Sequence, residues 1–407
     1  MNAPTILLYG INGAYNYGCE AILRGTEIIL REVWPHARIL YASPRPVEDE
    51  MRLEGSKIEI VSRRSRSRYS ARNVVGHLCR RLDIPWAPWG DMVDRLPEAD
   101  MVLSIGGDLY TLYNEEGTAY DRGLLSFGNV VRAMGKPFVI WGASIGPFEK
   151  NPRARRVFSE HLKAVDLITC REPSTFDYLI SIGVCENVVQ CADPAFAMPA
   201  PPTKAHCSNP RPLIGVNLSP LGILAGQQRA DLGACASGQA ATVAAIMREF
   251  DADVLLVPHV VCVFDEGDDD VRYLNRVAAA IPSTLRARVR TLPPDLGFMG
   301  TRNEITRCDV MIAARMHAAV NALGAGVPTI LLAYSQKAVG MSRYIYGTEK
   351  WMLPLVEFTP QKIPQMVGEL LKNGLQMRAD LSLRGAGMKC EARLCQPAIA
   401  SLCRAPV

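Results

Sequence analysis

The chain has little net charge, no long apolar run and no paired-cysteine motif, and each lack removes a class of function. Its 407 residues hold 45 Lys and Arg against 41 Asp and Glu, a formal net charge of +4. Nucleic-acid-binding domains are usually strongly basic, so no nucleic-acid partner is expected. No apolar stretch approaches the ~18–20 residues that a spanning helix needs. The strand-like run Thr5–Tyr9 comes so early that a signal peptide's charged and apolar regions have no room. A cytoplasmic protein is therefore the expectation. The twelve cysteines include no C-x-x-C pair. Cys170, Cys191, Cys262 and Cys308 lie inside apolar segments, where a free Cys behaves as a small hydrophobe. Neither a disulfide framework nor a metal site is expected, and the spacing of Cys390, Cys395 and Cys403 fits no ligand pattern. Also missing are a G-x-G-x-x-G fingerprint, a Walker lysine and any internal repeat, and Ser144, in a tight turn before Pro147, is read as structural.

What is present is alternation. Short β-branched runs recur between helical stretches: Thr5–Tyr9, Arg38–Tyr41, Met101–Ser104, Phe138–Trp141, Leu167–Cys170, Val188–Cys191, Ile214–Leu218, Val254–Val257, Asp309–Ile312 and Thr329–Leu332. Strands separated by helices imply βαβ units and parallel sheets. The length is too great for one ordinary core. The composition breaks at the Pro-rich stretch 199–212, and a linker is placed at 201–212. The fold class expected is α/β, with two Rossmann-like domains facing a central cleft. They span residues 1–200, the acceptor side, and 213–385, carrying most of the donor site. Residues 386–407 form a tail that could pack back on the first domain.

Polar or glycine residues punctuate the carboxyl ends of these strands, where open α/β sheets bind ligands. The most informative stretch is Asp309–Lys337: strand, helix from about Arg315, Gly-Ala-Gly turn, strand. It sets Arg315 and His317 at a helix N-terminus, which favours an anion. Arg171 repeats the geometry before Pro173, and Asp193 follows another strand. Asn12 and Asn16, among glycines 10, 13 and 18, offer neutral hydrogen bonds or a turn cap. Asp108, after Gly106-Gly107, could take a proton from a sugar hydroxyl or cap the next element. His259 ends a strand, and Asp268-Asp269-Asp270 beyond it should support the next helix. Two arginines can hold a carboxylate and a phosphate, and a histidine can carry the proton.

One stretch departs from the rest. From Arg63 to Arg81, arginines alternate with Val74, Val75 and Leu78, as on a basic amphipathic helix at a membrane surface. Peripheral contact with the inner face of the membrane, or with a lipid pyrophosphate, would suit a lipid-linked acceptor. A solvated insertion is the plainer alternative.

The ordered pieces Gly10…Asn16-Tyr17-Gly18, Gly106-Gly107-Asp108, Ile145-Gly146-Pro147, Cys170-Arg171-Glu172-Pro173-Ser174, Asp193-Pro194, Pro258-His259, Arg315-Met316-His317 and Gly326-Val327-Pro328…Lys337 resemble the polysaccharide pyruvyl transferase family. The resemblance implies a GT-B-like fold, with no cofactor. It implies transfer of pyruvate from phosphoenolpyruvate to two hydroxyls of a sugar in a cell-surface or exopolysaccharide precursor, closing a cyclic ketal. It assigns Arg315, Met316, His317 and Arg171 to phosphoenolpyruvate, with Lys337 adding to the phosphate field. His317, with Asp193 or Asp108, is left for the chemistry, and Asn12, Asn16, Asp108 and His259 for the acceptor. Met316 stands where relatives carry Leu, and Glu172 where many carry Asp, a change expected to shift only the capping. Two other readings are weighed: a GT-B glycosyltransferase using a nucleotide sugar, and a non-catalytic glycan- or lipid-binding relative. The first lacks the ribose-binding glutamate, with Asn321 and Ser335-Gln336 at those places.

Overall fold

The computed structural model describes residues 3–63, 93–112, 120–200, 210–226, 230–334 and 336–403. The chain divides into two compact units. Unit 1 comprises Met1–Ala14, Ile22–Ala197 and Cys390–Val407; unit 2 comprises Tyr15–Ala21 and Met198–Lys389.

Unit 1 is built on β1 (Thr5–Tyr9), β2 (Arg38–Ser43), β3 (Glu59–Ser62), β4 (Met101–Ile105), β5 (Phe138–Ala143), β6 (Leu167–Cys170) and β7 (Val188–Gln190). They form one sheet in the order β3-β2-β1-β4-β5-β6-β7, with every pairing parallel. Strands covered on both faces read as continuous apolar runs, and β4 and β5 are buried along their whole length. Below β5 the rings of Phe148 and Phe158 stack at 4.3 Å. On the buried Trp141 the indole nitrogen donates to Thr26 Oγ1 at 3.0 Å. The C-terminal segment is tied into this unit by Arg393, which grips both carboxylate oxygens of Glu32 at 2.7 Å.

Unit 2 repeats the pattern with β8 (Leu213–Asn217), β9 (Asp253–Leu256), β10 (Val289–Thr291), β11 (Val310–Ala313), β12 (Thr329–Ala333) and β13 (Met352–Pro354). The order is β10-β9-β8-β11-β12-β13, again all parallel. In each sheet the winding reverses once, between β1 and β4 in unit 1 and between β8 and β11 in unit 2. Such a switch point leaves a crevice at the carboxyl ends of the two strands.

Two corrections follow. The edge strands β3, β10 and β13 were not anticipated, because half-exposed sequences such as Glu59–Ser62 and Val289–Thr291 lack the apolar run of a central strand. The first unit is not the unbroken stretch 1–200. Residues Tyr15–Ala21 belong to unit 2, where Tyr17 N donates to His259 O and Val261 N to Tyr15 O, each at 3.0 Å. The placed linker, 201–212, lies mostly outside the described residues, as does the basic stretch beyond Arg63. No helix among the described residues is long and apolar enough to cross a membrane.

Candidate functional site

In unit 2 the switch point is occupied by hydrogen-bonding side chains. β8 ends in Asn217, wholly buried, whose Oδ1 accepts from Arg315 N at 2.8 Å while its backbone carbonyl accepts from Ala314 N at 3.0 Å. Its Nδ2 donates to Val257 O at 2.9 Å and to Asp270 Oδ2 at 3.2 Å. One amide therefore ties together the ends of β8, β9 and β11. Arg315 is the N-cap residue of the helix Met316–Gly324, so its side chain leaves the backbone beside N–H groups that have no partner within the helix.

The Arg315 guanidinium is 7% exposed and held by two acids. Nε and Nη2 donate to Asp270 Oδ1 at 3.1 and 2.9 Å. Nη2 also donates to Asp268 O at 2.9 Å and lies 2.8 Å from Asp268 Oδ1. Nη1 makes no hydrogen bond among the described residues. Burial alone would lower the pKa of Arg315, but Asp270 and Asp268 outweigh it and hold it above its ordinary value. Asp270 has no exposed surface and accepts five hydrogen bonds, from Arg315 Nε and Nη2, Asn217 Nδ2, His259 N and Val260 N. Burial pushes its carboxyl up and Arg315 pulls it down. The aspartate triplet thus does more than support a helix. Asp269 alone caps it, accepting from Val271 N at 3.0 Å, while its neighbours fix Arg315.

His317, half-buried, lies in the first turn of the Arg315-capped helix. A Cβ on Gly18 would stand 2.4 Å from its Cγ and Nδ1, so only glycine lets the helix Tyr17–Val33 begin against that ring. Asn16 starts this helix, its Oδ1 accepting from Gly18 N at 2.9 Å. His259 is wholly buried. Its ring sits 5.6 Å from Tyr17 and 5.8 Å from Phe298, and Nε2 is 3.4 Å from Asn321 Nδ2. Burial first, then His317, Arg315 and Arg302 hold its pKa well below 6.5. An enclosed neutral ring has no face for an acceptor, and the expected acceptor contact of His259 is corrected to a packing role.

Arg302, 1% exposed, was not anticipated. Its Nε donates to Asn321 Oδ1 at 2.8 Å and Nη1 to Pro199 O at 2.9 Å, but Nη2 is buried without a partner. Among the described residues no carboxylate pairs with it; its guanidinium lies 4.8 Å over the Phe298 ring, and burial lowers its pKa to about 10. Nothing local in the sequence marks it.

In unit 1 a second arginine gathers acids. The Arg171 guanidinium, 3% exposed, donates from Nε to Ser144 Oγ at 2.9 Å, from Nη1 to Asp193 Oδ2 at 3.0 Å and from Nη2 to Asp108 Oδ1 at 3.1 Å. Glu172 Oε2 lies 3.4 Å from its Nε. Burial would lower its pKa, but Asp193, Glu172 and Asp108 together raise it. A Cβ on Gly107 would come within 2.4 Å of Nη1, which explains the second glycine of Gly106-Gly107-Asp108. Glu172 is the N-cap residue of the helix Pro173–Ser181, but its side chain makes no capping hydrogen bond; it accepts from Thr175 Oγ1 and faces Arg171. Asp193 is fully buried, whereas the Asp108 side chain is 44% exposed. The structure thus brings Arg171, Asp108 and Asp193 together in unit 1, and Arg315, His317 and His259 in unit 2. Asn12 is exposed, Met316 opens its helix half-buried, and the Lys337 side chain lies outside the described residues.

A match to the family described as polysaccharide pyruvyl transferase runs over residues 16–336, most of the chain and nearly all of these residues. The chain belongs to the polysaccharide pyruvyl transferase family. No curated protein matches its sequence. Among solved structures, the chain is similar to a UDP-GlcNAc 2-epimerase from Neisseria meningitidis bound to UDP-GlcNAc, at 10% identity over 98% of this chain and 99% of that one, with a TM-score of 0.59. It is also similar to HepE from Anabaena in complex with UDP and glucose, at 12% identity over 98% and 99% of the chains, TM-score 0.56. A UDP-glucosyltransferase from Polygonum tinctorium gives 11% over 99% of both, TM-score 0.56. At such identities the likeness carries the fold alone, of GT-B type. The family match takes in Asn16, Asp108, Arg171, Asp193, His259, Arg315, Met316 and His317, and stops one residue short of Lys337.

Proposed function

We propose that this transferase takes pyruvate from phosphoenolpyruvate and closes a cyclic ketal on two hydroxyls of a saccharide, with the donor bound at Arg315 and His317. The observation that carries this reading is the Arg315 guanidinium at the β8–β11 switch point. Two aspartates fix it beside a helix N-terminus, and Nη1 makes no hydrogen bond among the described residues. Preorganised donors and dipoles of this kind cost no reorganisation when an anion arrives. The buried charge of Arg302, in the same unit and over the Phe298 ring, adds to the field.

In the chemistry that follows, His317 gives a proton to the methylene carbon of phosphoenolpyruvate, and one sugar hydroxyl attacks the adjacent carbon and loses its own proton. Inorganic phosphate then leaves, and the neighbouring hydroxyl closes the ring by attacking the same carbon, its proton returning to His317. The products are the ketal and phosphate, with no redox change and no cofactor. Within unit 1, Asp108 is half-exposed and open to proton exchange, whereas Asp193 is sealed against Arg171. Arg171 is the weaker anion ligand of the two arginines. Nε, Nη1 and Nη2 are each already engaged, and three carboxylates face its single charge. Its work is to orient those acids. The acceptor we propose is a polysaccharide precursor, lipid-linked or not, met in the cytoplasm or at the inner membrane face.

A nucleotide-sugar donor is disfavoured by Asn321. At the place where a ribose-binding glutamate would stand, it is wholly buried and committed to Arg302 and Phe298 O. The deciding measurement is a thermal-shift titration with phosphoenolpyruvate, UDP, GDP and UDP-glucose, repeated on Arg315→Ala. A ligand that binds the folded state raises its stability by mass action. A shift with phosphoenolpyruvate alone, lost in the variant, is the expected result. A shift only with UDP or UDP-glucose would make the protein a glycosyltransferase instead.

A further inference from the structure

The loop that follows β9 carries two exposed large apolar side chains in succession, Val263 at 67% and Phe264 at 48% exposure. Hydrogen bonds and ion pairs tie down the backbone that carries them. Arg272 Nη2 donates to Val263 O at 3.1 Å, and the same guanidinium lies 2.8 Å from Glu266 and 3.3 Å from Asp269. Consecutive turns shape the loop, with Asp265 N donating to Cys262 O at 3.3 Å and Asp268 N to Asp265 O at 3.1 Å. The half-buried Tyr15 meets Phe264 edge-on, ring centroids 5.1 Å apart and planes at 84°. Tyr15 is itself fixed: its carbonyl accepts from Val261 N, and Asn16 bridges Val260. Both rings belong to unit 2.

The same loop ends in the acids that clamp Arg315. A hydrogen-bonded turn keeps its end Cα atoms within about 7 Å, and adjacent Cα atoms are about 3.8 Å apart. The Phe264 Cα therefore lies within about 11 Å of the Asp268 Cα, and Asp268 Oδ1 is 2.8 Å from Arg315. A short oligosaccharide spans that distance. Aromatic faces held in place lose little entropy on binding, and the C–H face of a pyranose is the sugar surface that stacks on them.

We infer that Phe264 and Tyr15 form an aromatic subsite for a pyranose ring of the saccharide acceptor, placing its hydroxyls toward Arg315. This rests on the pyruvyl transfer proposed above for the identity of the acceptor. The binding site itself is tested separately, with methyl glucoside, methyl galactoside and methyl mannoside as probes.

Saturation-transfer NMR from the aromatic protons to the sugar C–H protons is measured on the wild type, Phe264→Ala and Phe264→Trp. Phe264 is exposed, so the variants should fold, and the phosphoenolpyruvate thermal shift of each serves as a control outside the subsite. The expected result is transfer to at least one glycoside, weakened about five- to tenfold by Phe264→Ala and restored by Phe264→Trp, with the phosphoenolpyruvate shift unchanged. Equal transfer in wild type and Phe264→Ala, or no transfer from the wild type at all, overturns the subsite and leaves the donor reading standing. Phe264-dependent transfer with no phosphoenolpyruvate shift in the wild type keeps the subsite and removes the donor. Sedimentation with anionic vesicles that depends on Phe264, with unaltered sugar transfer, would assign the pair to a membrane surface and overturn the proposal.

Discussion

Gly18 and His317 are in contact so close that a methyl group on the glycine would lie 2.4 Å from the imidazole Cγ and Nδ1. A helix start and a proposed catalytic ring are thus fitted to each other through the absence of a side chain. The family-like piece Asn16-Tyr17-Gly18 gains a physical reason: asparagine caps the helix and glycine makes room.

Gly18→Ala is expected to push the ring aside. Overpacking costs about 1–3 kcal/mol, which a domain of this size survives. Displacing a reacting group by about 1 Å costs about a hundredfold in rate. Phosphate release from phosphoenolpyruvate should therefore fall by about that factor, with a lowered but still cooperative melting transition. Full activity in a folded Gly18→Ala protein would remove His317 from the chemistry.

Asp270 and Asp268 both hold Arg315, but unequally. Asp270 is wholly buried with five donors, while the Asp268 side chain is 21% exposed. Removing one partner of a buried ion pair costs about 3–5 kcal/mol, because the other charge is left uncompensated. Asp270→Ala should lose about that much stability in urea denaturation, and Asp268→Ala clearly less. Equal losses would show that burial does not set the strength of this clamp.

The same logic in unit 1 separates two carboxylates on one arginine. Asp193→Ala strands Arg171 in the interior and should cost about 3–5 kcal/mol. Asp108, nearly half-exposed, is a surface partner worth at most about 1 kcal/mol. Asp108→Asn should then leave the melting temperature almost unchanged in a thermal denaturation run beside Asp193→Ala. A loss as large as that of Asp193→Ala would show that exposure does not set the strength of these pairs.

How much of this was legible in the sequence depended on how local the cause was. Central strands such as β4 and β11 announce themselves because burial on both faces demands an unbroken apolar run. Arg315, Arg171, Asp108 and Asp193 stood out because strand ends are where polar residues interrupt such runs. Their partners were not readable. Nothing within a few residues of Arg315 says that Asp270, 45 positions away, will clamp it, and the triplet Asp268–Asp270 looked like ordinary helix capping. His259 misled for a related reason. It also ends a strand, yet Tyr17, Phe298 and Asn321 close over it, and those contacts arise only in three dimensions. Arg302, in the helix Gly297–Ile305, has the sequence surroundings of any surface arginine.

Acid should destabilise the protein through buried neutral histidines. His161, packed near Tyr110 and Phe138 with Nδ1 3.3 Å from Asn129 Oδ1, has its pKa lowered by burial, and secondarily by Arg132, to about 4 from 6.5. Between those values the unfolded chain binds a proton that the folded chain refuses, so stability rises with pH across the window and is lost on acidification from 6.5 toward 4. The loss from this one residue is about 3 kcal/mol by pH 4, at roughly 1.4 kcal/mol per unit. His259 is shifted the same way and adds to the slope. Urea denaturation from pH 7 to pH 4 should show stability falling with acid, and His161→Gln should remove about one proton's share of the slope without abolishing it. An unchanged slope in that variant would mean that His161 takes up its proton in the folded state, and that the packing around it opens to water.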